Sequence, residues 1–334
     1  MKRLALLLLS AMLGTGVQAQ DDLPKARRRA VYGNGYYISA SELDYKGVAQ
    51  QSTKGARTKY DKAKALYLWI CGHISYDTRT NIRTADECWR QRRAVCQGYC
   101  ELYYRMAETV GLDVDVIYGR CRNASDSGEE HGWVSIKTEK GEILADPTWG
   151  AGAVVNGEFR HQSDPLLWFD VNPEWFIFTH LPQNRKHQHL ERKITEEEYE
   201  SLSYVTPLVQ KLGLTPSEVM KVMKDGAGPL PITPTLSARQ LKSIELRRFP
   251  KTFALERGTS HVFEIDKLEK GCKVALKYGG HVYEEKEWKK SGERLSISIT
   301  TKQKGPLQLL VSTSTGFVQL QVPVLEYFVG EVEK

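Results

Sequence analysis

Cysteine is scarce in this chain, with six residues in 334, at positions 71, 88, 96, 100, 121 and 272. That is too few for a fold held by a disulfide framework, so a hydrophobic core has to hold it. A strong charge of either sign is missing too. The formal net charge is +6, of which Lys2 and Arg3 contribute two, and so mild an excess argues against nucleic-acid binding. After the first twenty residues no run is apolar enough to cross a bilayer, so no stable membrane insertion is expected. Internal repeats and low-complexity tracts are also lacking, which excludes a solenoid. What remains is ordinary globular composition, 41% apolar and 26% charged, on a chain long enough for two domains.

The ends and the middle carry the organisation. Lys2 and Arg3 precede the apolar Leu4-Ala5-Leu6-Leu7-Leu8-Leu9, and Val17-Gln18-Ala19 puts small residues where a signal peptidase reads. Residues 1–19 therefore read as a cleaved secretory signal, and the mature protein is expected to be exported, periplasmic or extracellular. Residues 225–236, with Gly226, Gly228, Pro229, Pro231 and Pro234, read as a linker between a domain at 20–224 and another at 237–334. Short β-like runs come after it: Thr252–Leu255, His261–Ile265, Lys273–Tyr278, Arg294–Thr300, Leu307–Ser312 and Phe317–Pro323, then Val324–Val329. They predict a β-sandwich (Ig-like) domain without a catalytic cluster.

The chemistry gathers in the first domain. A helix capped by Ser41 is expected, then one over Thr58 to Ile74, whose Ala63, Leu66, Tyr67, Ile70 and Ile74 recur at helical spacing. A third begins at Cys96 and buries Tyr99, Leu102, Tyr103, Met106 and Val110. Cys96 then sits at a helix N-terminus, where free backbone N–H groups favour a thiolate. Cys100, one turn on, reads as packing, and so does Cys71. A strand is expected over Asp113–Gly119, then a loop over Arg122 to Glu130. After the loop comes a hairpin of Trp133–Lys137 and Ile143–Ala145. With a two-residue turn at Glu139-Lys140, Trp133 pairs with Asp146 and His131 points to the same face, within reach of the carboxylate. Gly141 suits a three-residue bulged loop, which would change that register.

Cys96, His131 and Asp146 offer a nucleophile, a base and a group to orient the base, the set that thiol acyl transfer needs. Gly98 allows close backbone approach at the helix start, and Pro147 biases Asp146 toward an extended conformation. Other groups remain as candidates. Cys88 and Cys121 are the candidate disulfide. His180, His187 and His189 lack helical spacing and an adjacent carboxylate or cysteine set, so a zinc reading is not adopted. The Cys96 backbone N–H is one candidate oxyanion donor, and Trp69, Tyr76 or Gln91 could supply a side chain.

Taken together, Cys96-Gln97-Gly98-Tyr99, His131-Gly132-Trp133 and Asp146-Pro147-Thr148-Trp149-Gly150 resemble the transglutaminase-like superfamily of papain-related folds. Trp168-Phe169, Pro173-Glu174-Trp175-Phe176-Ile177, His180-Leu181-Pro182 and Ile194-Thr195-Glu196-Glu197-Glu198-Tyr199 resemble its kyphoscoliosis-peptidase branch. The resemblance covers roughly residues 58–212. It implies an α+β core with Cys96 as nucleophile, His131 as general base and acid and Asp146 orienting it, with no cofactor. Ala94, Cys100 and Gly132 depart from the residues usual in that pattern, and His187-Gln188-His189 replaces a more apolar stretch. The expected activity is cysteine-dependent attack on amide bonds of a protein or peptide substrate, by peptidase-like hydrolysis. An amine-accepting transglutaminase or deamidase is the alternative, and a non-catalytic binding protein that keeps the fold is the rival. A cell-surface or envelope ligand is the candidate partner of the C-terminal domain.

Overall fold

The computed structural model describes residues 44–123, 128–162, 164–224, 244–251, 254–313 and 320–330. The leader at 1–19, the linker at 225–236 and Ser41 fall outside these. The first described helix, α1 (Tyr45–Ser52), is capped by Asp44, whose carboxylate accepts the Gly47 N–H at 2.8 Å. Helix α2 (Lys59–His73) starts at its Thr58 cap and ends at Ile74, beyond which the chain turns extended into β1 (Ser75–Tyr76). A short helix that periodicity did not mark, α3 (Ala85–Gln91), closes on Arg92 in the left-handed region, φ 54°. That turn feeds β2 (Arg93–Ala94), which pairs in parallel with β1 and sets Tyr76 against Ala94. Two residues later α4 (Cys96–Thr109) begins.

Buried tyrosine hydroxyls tie these helices together. The Tyr99 hydroxyl donates to Ile74 O at 2.8 Å and that of Tyr103 to Ala63 O at 3.0 Å, both from α4 to α2 or its cap. The Tyr67 hydroxyl lies 2.8 Å from Pro165 O and 3.1 Å from Asp146 O. Gly98 is needed where α4 starts: a Cβ there would lie 2.7 Å from both Ile82 O and the Ala94 Cβ.

Next comes an antiparallel sheet of β3 (Asp113–Cys121), β4 (Glu129–Thr138), β5 (Gly141–Ala145) and β8 (His180–Pro182), in the order β5-β4-β3-β8. One face, with Val114, Val134, Ile136, Ile143 and Ala145, packs on the helices. The other, with Ile117, Trp133 and Leu144, packs on the aromatic segment of Trp168, Trp175, Phe176 and Phe178. Burial on both faces explains why β4 is buried without a break from His131 to Ile136 rather than at alternate residues. Both strands of β3–β4 run longer than their sequence patterns, and the loop between them shrinks to match. Between β5 and β8 lie α5 (Pro147–Ala151), the hairpin β6 (Gly152–Val155) and β7 (Glu158–His161), and α6 (Pro173–Phe176). Helices α7 (Glu196–Glu200), entered through a Thr195–Glu198 capping box, and α8 (Pro216–Lys224) come after β8.

The described residues of the C-terminal part form strands, with one 3₁₀ turn at Glu285–Glu287. Strands β10 (Ala254–Glu256), β12 (Lys273–Tyr278), β13 (His281–Glu284), β16 (Gly305–Thr313) and β17 (Leu320–Gly330) form one sheet, in the order β10-β17-β16-β12-β13. The second, ordered β14-β15-β11-β9, holds β9 (Ile244–Arg248), β11 (Ser260–Leu268), β14 (Lys289–Ser291) and β15 (Arg294–Thr300). Phe263 of one sheet meets Tyr327 of the other, ring centroids 5.7 Å apart, so the two inner faces share a core. Strands β9, β13 and β14 carry no apolar alternation strong enough to have been predicted.

The candidate disulfide is overturned: Cys88 and Cys121 are both free. Cys88 is buried within α3 among the helices, while Cys121 ends β3 opposite His180. Their places in the fold, not their chemistry, keep them apart. Among the described residues no helix is long and apolar enough to cross a membrane.

Arg122 fastens β8 to the segment around α7. Its backbone N–H donates to Thr179 O at 2.8 Å, and the buried guanidinium bonds the carbonyls of Tyr199, Leu202 and Glu200 over the Tyr199 ring. Arg122→Met keeps much of the stem volume but strands those buried carbonyls. It should lower unfolding free energy by about 2–3 kcal/mol, read as a lower urea midpoint at unchanged m-value.

Candidate functional site

Helix α4 starts without a side-chain cap: its N-cap is Val95, which cannot accept a hydrogen bond from the first turn. The free N–H groups of that turn and the half-buried Cys96 thiol therefore share one spot. Burial alone would raise the thiol's pKa. The side-chain hydrogen bond and the charge of His131, with the Gly132 backbone, outweigh burial and hold the thiol below its ordinary value. Cys100 shows the contrast: fully buried and near the Asp146 charge, its thiol is held well above that value. It packs, as its place on the helix predicted.

His131 is the third residue of β4, not the residue before a strand. The β4–β5 ladder runs from Thr138 opposite Gly141 to Val134 opposite Ala145, the register of a two-residue turn. One step further carries Trp133 to Asp146, and His131 lies diagonal to it. His131 Nε2 is 2.8 Å from Asp146 Oδ2, which leaves the other ring nitrogen for Cys96. Burial would lower the imidazole's pKa, but the charge and hydrogen bond of Asp146, then those of Cys96, raise it to about 10. The ring sits beside Trp149, centroids 5.5 Å apart.

Asp146 is wholly buried and is both the N-cap of α5 and the partner of His131. Its Oδ1 accepts the N–H groups of Thr148 at 2.8 Å and Trp149 at 3.0 Å. Pro147 at the first helical position needs no partner, which suits it to that place. Oδ2 lies 2.8 Å from His131 and 3.2 Å from Nε2 of a second imidazole, His180. Burial works to raise the carboxyl's pKa. The charge and hydrogen bond of His131, and then those of His180, hold it well below the usual carboxylate range.

The three predicted residues thus converge, and His180 joins them. In the sequence His180 groups with His187 and His189, but the structure separates them. His189 lies 3.7 Å from Glu142, with His187 near it, while His180 turns inward on β8. The available signal was His180-Leu181-Pro182 as one of the motifs that carry the family resemblance, to which no role was attached. His131, Asp146 and His180 each offer a ligand atom within 4.8 Å of the others. Zinc holds tetrahedral nitrogen and oxygen ligands about 3.4 Å apart, whereas the observed 2.8 and 3.2 Å are hydrogen bonds. The cluster is satisfied by its own protons. Of the candidate oxyanion donors, Trp69 is buried in a stack with His73 and Trp89, and Gln91 is exposed. Tyr76 is half-buried in the field of Cys96, its hydroxyl pushed up to about 12 by burial and then by the Cys96 charge, so it stays a donor.

Asp146→Asn puts an amide NH2 against either backbone N–H groups or imidazole N–H groups, donor against donor. It should cost about 2–4 kcal/mol of stability, measured by urea unfolding. It should also return His131 from its raised pKa toward 6.5, measured by NMR titration of the imidazole.

Residues 46–147 match the family model described as the Transglutaminase-like superfamily. Over 168 residues the chain is 29% identical to the kyphoscoliosis peptidase of Homo sapiens, covering 45% of this chain and 25% of that protein. Hillarin of Drosophila melanogaster is 25% identical over 205 residues, covering 53% of this chain and 25% of that one. The chain thus spans about a quarter of the length of these curated relatives. A solved structure described as a TGase is 17% identical, covering 43% of this chain and 40% of that one, with a TM-score of 0.27, too low to bear on the fold. The family model spans Cys96, His131 and Asp146, and residues 46–147 belong to the transglutaminase-like superfamily, with similarity to its kyphoscoliosis-peptidase-like branch.

Proposed function

We propose that this protein is an exported cysteine-dependent enzyme that hydrolyses amide bonds of proteins or peptides through an acyl-enzyme. The observation that carries the reading is the buried 2.8 Å contact between Asp146 and His131, with the remaining imidazole nitrogen given to Cys96. The name of the peptidase relatives supports hydrolysis over transfer to an amine.

In this reading the Cys96 proton rests on His131, and Asp146 holds the imidazolium in place. The thiolate attacks the amide carbonyl carbon, forming a C–S bond and an oxyanion that the Cys96 N–H and the Tyr76 hydroxyl face. As the carbonyl re-forms, the C–N bond breaks and His131 gives its proton to the departing amine. Water then attacks the thioester; His131 takes one of its protons and keeps it as the C–S bond breaks and the thiolate leaves, which restores the starting ion pair. An amine in place of water would give transfer, and the two outcomes are separated by adding a primary amine and weighing the products. Residues 1–19 act as the export signal, residues 225–236 divide the two domains, and the stacked C-terminal sheets form an Ig-like sandwich that presents the catalytic domain to an envelope or surface ligand. N-terminal sequencing of the exported protein should begin at Gln20.

The pH dependence comes from the signs. Cys96 is an acid with a lowered pKa, so its thiolate forms below pH 9 and is lost as pH falls through that lowered value. His131 has a raised pKa, so the imidazolium is present at neutral pH and is lost as pH rises through about 10. Activity and Cys96 alkylation should follow a bell between these limits. His131→Ala leaves burial opposed only by the Gly132 backbone and should move Cys96 alkylation to higher pH, with activity down about 10³-fold or more. Alkylation of Cys96 no faster than of a free thiol, with Cys96→Ala fully active on every substrate that the wild type cleaves, would refute the enzyme.

A further inference from the structure

His180 is a fully buried imidazole to which the mechanism assigns no task. It sits in a box of aromatic rings. Phe176 stacks on it with centroids 3.9 Å apart and planes 10° from parallel, while Trp149, Trp133 and Trp168 stand at 4.6, 5.0 and 5.6 Å. Two atoms of the ring leave the box. Nε2 reaches Asp146 Oδ2 at 3.2 Å, and Nδ1 lies 2.8 Å from the Thr179 hydroxyl. The backbone under the ring is fixed in turn: Thr179 O takes the Arg122 N–H at 2.8 Å and the Tyr199 hydroxyl at 3.1 Å.

We propose that His180 is a positioning residue that stays neutral, donates Nε2–H to Asp146, and so limits how strongly that carboxylate holds the imidazolium of His131. The proposal rests on the triad reading above. Its chemistry lies in the number of hydrogen bonds at one oxygen. Asp146 Oδ1 is occupied by two backbone N–H groups, so Oδ2 alone faces His131. With a second N–H on the same oxygen, its electron density is divided between two imidazoles. His131 is then held in orientation while remaining a weaker base than an undivided carboxylate would make it, and its proton can leave for the amine.

Neutrality comes from the surroundings. The titratable groups facing His180 are Asp146 and His131, with Cys121 across the β3–β8 pairing. Burial lowers its pKa most, Asp146 opposes, the His131 charge lowers it further, and the ring is left at about 4. Above that pH it carries one proton. With Nε2 donating, Nδ1 must accept, and the Thr179 hydroxyl 2.8 Å away meets it by turning its one proton to Nδ1 instead of to Phe176 O, which lies 3.1 Å from the same hydroxyl.

The test needs no known substrate. Iodoacetate, an anion, alkylates the Cys96 thiolate fastest while His131 is cationic, so its rate against pH is a bell whose falling limb reports His131. Alkylation is read at the Cys96 peptide by mass spectrometry on the full chain. His180→Phe keeps a ring and removes the donor; the falling limb should move up by about one pH unit. His180→Gln keeps an N–H at similar reach, and its limb should stay at the wild-type position. A role in packing alone would move neither limb, and coincident limbs for wild type and His180→Phe overturn the proposal. So does a His180→Gln limb displaced as far as that of His180→Phe. A wild-type profile with no bell removes the triad reading itself, whereas a wild-type bell with unmoved variants removes this inference only. Should His180→Phe not fold, the imidazole ¹⁵N spectrum of the wild type decides, with the His180 signal identified from His180→Gln. A neutral Nε2–H ring from pH 5 to 9 supports the proposal, and an imidazolium or an Nδ1–H tautomer overturns it.

Discussion

The burial of one carboxylate organises this protein. Asp146 has no exposure to water, and a charge there is tolerable only because two backbone N–H groups and two imidazoles surround it. Each of those partners is placed by a different part of the fold. The N–H groups come from the start of α5, His131 from β4 and His180 from β8. The backbone carbonyl of the same residue is reached by the Tyr67 hydroxyl from α2. Loosening any of these elements would expose or strand the charge, so stability and site geometry are maintained by the same contacts.

Cys96 draws on the opposite side of that arrangement. Its thiol is poised by the first turn of α4 and by His131, while the thiol one turn further along is held protonated by burial and by the Asp146 charge. Two cysteines four residues apart thus have opposite acidity, and position relative to one imidazole decides it. The parallel pair of β1 and β2, two residues each, sets Tyr76 beside this spot. It is a small piece of sheet with a large effect on what surrounds the sulfur.

Much of this was legible from the residues. Helix α2 could be bounded by Thr58 and Ile74, because a cap and a periodic stripe are local signals. The convergence of Cys96, His131 and Asp146 could be proposed from a hairpin register and a helix start. What could not be read depended on distance in the chain. His180 looked like one of three nearby histidines, since nothing local tells an imidazole which way its strand will face. Cys88 and Cys121 looked like a pair because sequence carries no record that one lies among helices and the other at the end of a sheet. Helix α3 was too short for periodicity, and the edge strands β13 and β14 have too few apolar residues to alternate.

The two-residue turn at Glu139-Lys140 acts as a ruler. His131 and Asp146 stand fifteen positions apart in sequence, yet they meet because the turn folds that span in half at one fixed point. In a ladder of period two, one added or deleted residue in the turn would rotate β5 by a face. Asp146 would then point at the helices rather than at His131, and Leu144 would exchange places with Ala145. The side chains of Glu139 and Lys140 are exposed, yet Glu139 accepts the Lys59 and Tyr60 N–H groups at 3.0 and 3.3 Å and Lys140 lies over the Tyr60 ring, so their identity fastens the turn to the start of α2 while their number sets the register. The geometry of the Cys96, His131 and Asp146 cluster is set in part by the length of a turn that touches none of it.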